Sequence, residues 1–357
     1  MQPFRYGVIG TGMMGVEHMM NVNHIEGAEV TAYADPHEPS RAQAATVSPH
    51  AKGFADYHDL LESDLCDALV IATPNFTHVD VLGDVLATDI HVLVEKPLCT
   101  TVEDCRTVVE AARHRDAVTW VGLEYRYMPP VARLIEEVHD GTVGDLKMLA
   151  IREHRFPFLP KVHDWNRFSE NTGGTLVEKC CHFFDLMNHI IGEDPVRVMA
   201  SGAQDVNHLD EEYGGRVPDI LDNAYVVVEY AGGQRAMLDL CMFAEATHNQ
   251  EEIVAVGDKG KVEALIPDDI VRTGERGRQF IGDVTSFEVE DDRITYMGHH
   301  HGSSQLEHMD FIALCRGELD EGPKVSIDDG LLSVAIGVAA HRSIDEARWV
   351  AMEEVLG

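Results

Sequence analysis

Phe4-Arg5-Tyr6-Gly7-Val8-Ile9-Gly10-Thr11-Gly12-Met13-Met14-Gly15 is the stretch on which the fold turns. Residues 4–9 read as a short apolar strand, and G-x-G-x-x-G follows where the strand hands over to a helix. In such a turn the first glycine permits the bend and the second lets a pyrophosphate approach the backbone. The third lets helix and strand pack closely. The helix behind it offers N–H groups and the positive end of its dipole to phosphates. Gly10, Gly12, Met13, Met14 and Gly15 are therefore candidate cofactor-binding residues. Glycines also mark ordinary turns, so the motif needs support from its surroundings. A second strand, 29–34, ends in Asp35, twenty residues beyond Gly15. A carboxylate there accepts both ribose hydroxyls of NAD and repels the 2′-phosphate of NADP. The competing reading makes Asp35 a cap for the helix after Pro36.

Outward from the motif the alternation continues. Helical stretches are expected at 39–46, 56–61, 79–87 and 102–113, and strands at 67–72, 91–94 and 117–122. Strand and helix alternating at this pitch predict a parallel sheet covered on both faces, whose ligands sit beyond the carboxyl ends of the strands. Thr73-Pro74-Asn75 and Glu95-Lys96-Pro97 fall at such ends, which makes them site candidates. After Tyr125 the pattern shifts to longer strands and hairpins. Residues 225–230 and 235–243 flank Ala231-Gly232-Gly233-Gln234, and 252–256 and 261–266 flank Gly257-Asp258-Lys259-Gly260. Residues 329–347 have helical spacing. The expected fold is α/β, a Rossmann domain over 1–123 followed by an α+β domain over 124–357.

Length and composition agree with two folded domains: 357 residues, 45% hydrophobic. No signal-peptide pattern opens the chain, and no window reaches the about 18 apolar residues of a membrane span. Seven scattered cysteines read as reduced thiols of a cytoplasmic protein. Asp plus Glu total 62 against 28 Lys plus Arg, a formal net charge of −34. That charge repels nucleic acid and anionic membranes. It also strains the compact state by self-repulsion that salt screens, and we read it as adaptation to a salty, halophilic cytoplasm.

The chain resembles the glucose–fructose oxidoreductase and inositol dehydrogenase family (Gfo/Idh/MocA) along nearly its whole length. The resemblance rests on the glycine motif, on Ala72-Thr73-Pro74-Asn75 with His78, and on Glu95-Lys96-Pro97-Leu98. It continues through Gly122 to Arg126 with Pro129, Trp165, Gly173-Gly174, Glu178, His182 and Asp185. It implies an open, mostly antiparallel sheet in the second domain, of a kind that commonly pairs face to face in homodimers or homotetramers. It also implies NAD as cofactor, with Thr73, Asn75, His78, Glu95, Lys96 and Trp165 among the residues that hold it. The implied activity is oxidation of a secondary or anomeric hydroxyl of a sugar or cyclic polyol such as an inositol. The same resemblance admits NAD-dependent lyases, glycosidases or epimerases that oxidise a sugar transiently, and a silent NAD or sugar sensor.

Glu178, His182, Asp185 and His189 are spaced four, three and four, so they are expected on one face of one helix. Such a face is commonly solvated, and carboxylate and imidazole one turn apart can also share a metal ion. We expect no metal, because hydride transfer to NAD needs a proton acceptor rather than a Lewis acid. By resemblance Lys96 and His182 are the catalytic pair: Lys96 stabilises the developing alkoxide and His182 takes the hydroxyl proton. Glu178 assists them one turn earlier, where relatives usually carry Asp, and Lys179 stands where a small or apolar residue is common. The resemblance places Tyr125, Arg126, His154 and Asp185 against the substrate. Arg152, His154, Arg155, Lys161, His163 and Arg167 form a basic cluster, suited to an acidic sugar or to pairing with surface acids. Consecutive His299, His300 and His301 cannot all turn to one ion, and by resemblance His300 or His301 approaches the substrate.

Overall fold

The computed structural model describes residues 2–277 and 282–357. In chain order the first elements are β1 (Phe4–Ile9), α1 (Met13–Asn23), β2 (Ala28–Ala34), α2 (Glu38–Val47), β3 (Lys52–Phe54) and α3 (Tyr57–Leu61). Then come β4 (Ala68–Ile71), α4 (His78–Leu86), β5 (His91–Glu95), α5 (Val102–Ala112), β6 (Thr119–Gly122) and α6 (Pro129–His139). The middle holds β7 (Leu146–His154), α7 (Ser169–Thr172), α8 (Thr175–Glu178), α9 (Cys181–Ile191), β8 (Pro195–Ala203), β9 (Asn223–Tyr230) and β10 (Arg235–Cys241). The remainder is β11 (Glu251–Gly257), β12 (Gly260–Ile266), β13 (Ile270–Glu275), β14 (Val284–Glu288), α10 (Ser303–Cys315), α11 (Ile327–Glu346), β15 (Val350–Ala351) and α12 (Glu353–Leu356).

The chain divides into two compact units. The first comprises Met1–Glu124, Lys161–Trp165 and Asp292–Val334, and the second Tyr125–Pro160, Asn166–Asp291 and Ala335–Gly357. Sequence reasoning gave everything after residue 123 to the second domain, so the two later contributions to the first unit are a finding of the structure. Phe311 of α10 explains one of them. It is fully buried, with its ring 6.1 Å from those of Tyr6 and Trp120, and the Trp120 indole N–H donates to Glu307 at 3.0 Å. Burying such aromatic area ties α10 to the first sheet.

Among the described residues the first unit holds a six-stranded parallel sheet in the order β3-β2-β1-β4-β5-β6. The order reverses between β1 and β4, where sheets of this class bind dinucleotides. Val8, Leu69, Val70, Ile71, Leu93 and Val94 are buried on both faces, which explains why these strands read as unbroken apolar runs. Edge strand β3, Lys-Gly-Phe with no apolar pattern, escaped the sequence reading. Thr101 caps α5, its hydroxyl accepting the Asp104 N–H at 3.1 Å, and Asp56 caps α3 likewise.

Among the described residues the second unit holds a nine-stranded sheet, β14-β13-β12-β11-β7-β10-β9-β8-β15, antiparallel apart from the β7–β10 pair. Its strands alternate. Leu149, Ile151 and Glu153 of β7 face inward with Ile253 of β11 and Leu238 of β10. On the other face, register aligns Met148, Ala150, Val227, Met237 and Val254 in an apolar band. Met148 and Tyr225 on that face are 60% and 61% exposed. No described helix is long and apolar enough to cross a membrane.

Candidate active site

The glycine motif has backbone geometry that only glycine fits at two of its three positions. Gly10 sits at φ +86°, and a Cβ there would lie 2.6 Å from the Ala72 carbonyl oxygen. A Cβ on Gly15 would overlap the Gly10 carbonyl oxygen, whereas one on Gly12 would meet open space. That space lies at the N-terminus of α1, where no side chain caps the helix. An anion fits there, held by backbone N–H groups and the helix dipole. Met13 and Met14 open the helix beside it. The Asp35 carboxylate ends β2 with its orientation fixed. It accepts the Thr11 N–H at 2.7 Å and the His37 N–H at 2.8 Å, so it faces the glycine turn rather than only capping α2. Asn75, buried just beyond β4, has an Nδ2 with no hydrogen-bond partner among the described residues. An orphaned amide at a strand's carboxyl end fits a ligand not held in this structure. These residues suit a dinucleotide.

His78 lies behind that edge, fully buried. Its Nδ1 faces the Pro97 carbonyl at 2.9 Å and its Nε2 the Thr73 carbonyl at 3.1 Å. Burial depresses its pKa, against the pull of those carbonyls. His78 thereby ties the loop after β4 to the loop after β5, which carries Lys96. In the same unit Trp165 packs edge-on to Phe76 at 6.4 Å and His163 to His37 at 5.8 Å. The Lys161–Trp165 segment thus spans from beside Asp35 to beside Asn75. Of the three consecutive histidines, the His299 backbone N–H donates to Glu17 at 2.9 Å, and His300 Nδ1 lies 3.2 Å from Glu124. Glu95 is buried at the end of β5. Burial would raise its pKa, but a hydrogen bond from His18 and the charges of His18, Lys96 and His300 outweigh it and hold the carboxyl at about 2.

In the second unit the expected single helix is broken. Glu178 ends α8, Lys179 and Cys180 form a turn, and His182, Asp185 and His189 begin anew on α9. The face is not solvated: Glu178, His182 and Asp185 are 6%, 1% and 1% exposed. His182 lies flat on Tyr125, ring centroids 4.1 Å apart and planes 10° from parallel. The Lys179 ammonium donates to the Tyr125 hydroxyl at 2.7 Å and pairs with Glu153 at 3.0 Å, while Arg155 also reaches Glu153 at 3.2 Å. Glu251 stands directly across the β7–β11 ladder from Glu153. Burial, reinforced by the Glu153 charge, pushes its pKa up to about 7, against the pull of Lys179 and Arg155. Sequence reasoning noticed Lys179 only as a departure and missed Glu153 and Glu251, because a lone Glu in a strand carries no signal of its cross-strand partner.

Residues expected at the substrate have partners of their own in the structure. Arg126 and Asp185, read as substrate contacts, bind each other through two buried hydrogen bonds, Nε to Oδ2 at 2.7 Å and Nη2 to Oδ1 at 2.5 Å. His154 follows Glu153 and therefore points to the sheet's other face, where its Nε2 lies 3.1 Å from Asp239. Of the basic cluster, Arg152 bonds Asp239 and Glu252, Arg155 bonds Glu153 and Arg167 bonds Glu211. No three His, Cys, Asp or Glu side chains gather as metal ligands among the described residues.

Comparison with known proteins fits this geometry. Residues 4–123 match the family model described as the NAD-binding Rossmann fold of the Gfo/Idh/MocA oxidoreductase family, and residues 135–352 match that family's C-terminal alpha/beta domain. A myo-inositol 2-dehydrogenase of Thermotoga maritima is 30% identical over 99% of this chain and 100% of its own length. An inositol 2-dehydrogenase of Rhizobium meliloti is 26% identical over 98% of this chain and 99% of its own. Among solved structures, a levoglucosan dehydrogenase in complex with NADH and levoglucosan superposes with a TM-score of 0.85. It is 19% identical and covers 98% of this chain and 100% of its own, which bears on fold alone.

Proposed function

The chain belongs to the Gfo/Idh/MocA oxidoreductase family, and from that premise we propose that it oxidises a secondary or anomeric hydroxyl of a sugar or cyclic polyol, inositols foremost. The observation that carries this reading is the likeness to a myo-inositol 2-dehydrogenase over the entire chain, together with an intact Lys96 and a buried, ring-stacked His182. NAD, when bound, supplies the acceptor for the hydride that leaves the carbinol carbon. Lys96 donates a hydrogen bond to the hydroxyl oxygen and stabilises negative charge developing there. His182 removes the hydroxyl proton, so the C–H electron pair departs as hydride while the O–H pair closes the carbonyl. Glu178 orients the imidazole or a neighbouring hydroxyl. Asp35 selects NAD over NADP.

The apolar band on the open face of the nine-stranded sheet supports pairing of two copies through that face, giving a homodimer or homotetramer. Light scattering reads the mass directly. The functional test is NADH absorbance with NAD⁺ or NADP⁺ across inositols, aldoses, anhydrosugars and uronic acids, in molar KCl. Turnover with NAD⁺ on a polyol class supports the reading, and silence across the panel removes it. One relative, an Escherichia coli protein named 2,7-anhydro-N-acetylneuraminate hydratase, is 24% identical over 81% of this chain and favours a second reading, transient oxidation and re-reduction. In that case product forms without NADH accumulating.

A further inference from the structure

A chain of four buried side chains runs through the first unit to the strand end that carries Lys96. The Tyr6 hydroxyl lies 3.2 Å from His308 Nδ1, His308 Nε2 lies 2.8 Å from His18 Nδ1, and His18 Nε2 lies 2.8 Å from Glu95 Oε1. The other Glu95 oxygen, Oε2, accepts the Lys96 backbone N–H at 3.1 Å. Tyr6, His18 and His308 are each 2% exposed or less and Glu95 is 6% exposed.

The carboxylate dictates the direction of the donor that meets it. An ionised Glu95 only accepts, so His18 Nε2 carries the proton. One proton serves the 2.8 Å contact between His18 Nδ1 and His308 Nε2, and the other nitrogen of His308 faces the Tyr6 hydroxyl. Burial and the charge of His18 hold the His308 pKa well below its ordinary value, which agrees with a neutral ring there. The far end of the chain is Tyr6, fully buried in β1, so it offers no route for protons to water. A hydrogen-bonded chain closed at one end orients; it does not conduct.

We propose that His18, held in place by His308, is a positioning residue for Lys96: it holds Glu95 ionised, and Glu95 in turn fixes the Lys96 backbone and supplies the negative charge that keeps the ammonium protonated. This rests on the reading of Lys96 given above. The titratable and charged groups facing Glu95 are His18 from α1, His308 from α10, His78 from α4, Lys96 from its own loop and His300 from the turn before α10. His300 is itself 3.2 Å from Glu124. A buried carboxyl that loses its donor takes up a proton, and a lysine that loses a nearby negative charge gives its proton up more readily.

The test compares His18→Leu, His18→Gln and Glu95→Gln with the parent enzyme, reading the pH profile of kcat and the NADH dissociation constant by fluorescence. His18→Leu and Glu95→Gln are expected to lower kcat about ten- to hundredfold and to move the basic limb down by about one pH unit, as loss of one close charge implies. In His18→Leu, NADH affinity should stay within about twofold. His18→Gln, which can still donate to Glu95, should recover most of the loss. A folded His18→Leu with parental kcat and an unmoved basic limb overturns the proposal. Should His18→Leu fail to fold, an unmoved limb in Glu95→Gln overturns it equally. Lys96→Ala separates the two levels. If it abolishes turnover while Glu95→Gln leaves the profile in place, this inference alone fails; if it turns over like the parent, the reading of Lys96 fails first.

Discussion

The Tyr125 ring covers the His182 imidazole, 4.1 Å between centroids and 10° from parallel, with the Lys179 ammonium on the far edge of that ring at its hydroxyl. A histidine so clamped has one ring orientation, which suits a group that must meet a proton at a fixed angle. His182→Ala should lower kcat by about 10² to 10⁴, the usual loss of a general base. Tyr125→Leu removes the stack, about 0.5–1.5 kcal/mol, together with the hydroxyl that Lys179 bonds, and should cost about two- to tenfold in kcat. Steady-state kinetics on folded variants, checked by circular dichroism, distinguish the two.

Asp35 is held by two backbone N–H groups and faces the glycine turn. Asp35→Ala should cut kcat/KM for NAD⁺ by about ten- to hundredfold and narrow the preference over NADP⁺, because the ribose loses an acceptor and the 2′-phosphate loses a repelling charge. Paired kcat/KM values for both cofactors check it. An unchanged ratio would assign Asp35 to its turn.

Glu251 titrates with a pKa raised from 4.5 to about 7 in the fold. Between those values the folded chain holds a proton that the unfolded chain has released, so stability falls as pH rises through this window and levels off above it. Glu251→Gln should flatten that fall, leaving denaturant midpoints less dependent on pH between about 4.5 and 7. Urea melts at several pH values read the slope.

How much of this was legible beforehand follows the physics of each signal. Local periodicity and turn chemistry are properties of short windows, so β1, the glycine turn, Asp35 and the hairpin at Gly232-Gly233 could be read directly. The break between α8 and α9 could not, since Lys179 and Cys180 are compatible with helix and only packing decides there. Partnerships across long separations were invisible as well: Glu153 with Lys179 and Glu251, Arg126 with Asp185, and His18 with His308 are brought together by topology. His154 shows the same limit in another form, because strand register and not residue type chose its face.

A net charge of −34 carries its own consequence. Unfolding separates like charges, and salt weakens the repulsion that the compact state must bear. The melting temperature should rise steadily from low salt to molar KCl, with activity following. Indifference of both to KCl would remove the salt-adapted reading.

The measurement that bears most directly on the whole account is stoichiometric: NADH formed against oxidised polyol formed, with NAD⁺ and myo-inositol first and the wider polyol panel after, in molar KCl. The account predicts one NADH for each ketone produced, and no NADH from Lys96→Ala under the same conditions. Tight NADH binding with no NADH produced from any polyol would contradict it.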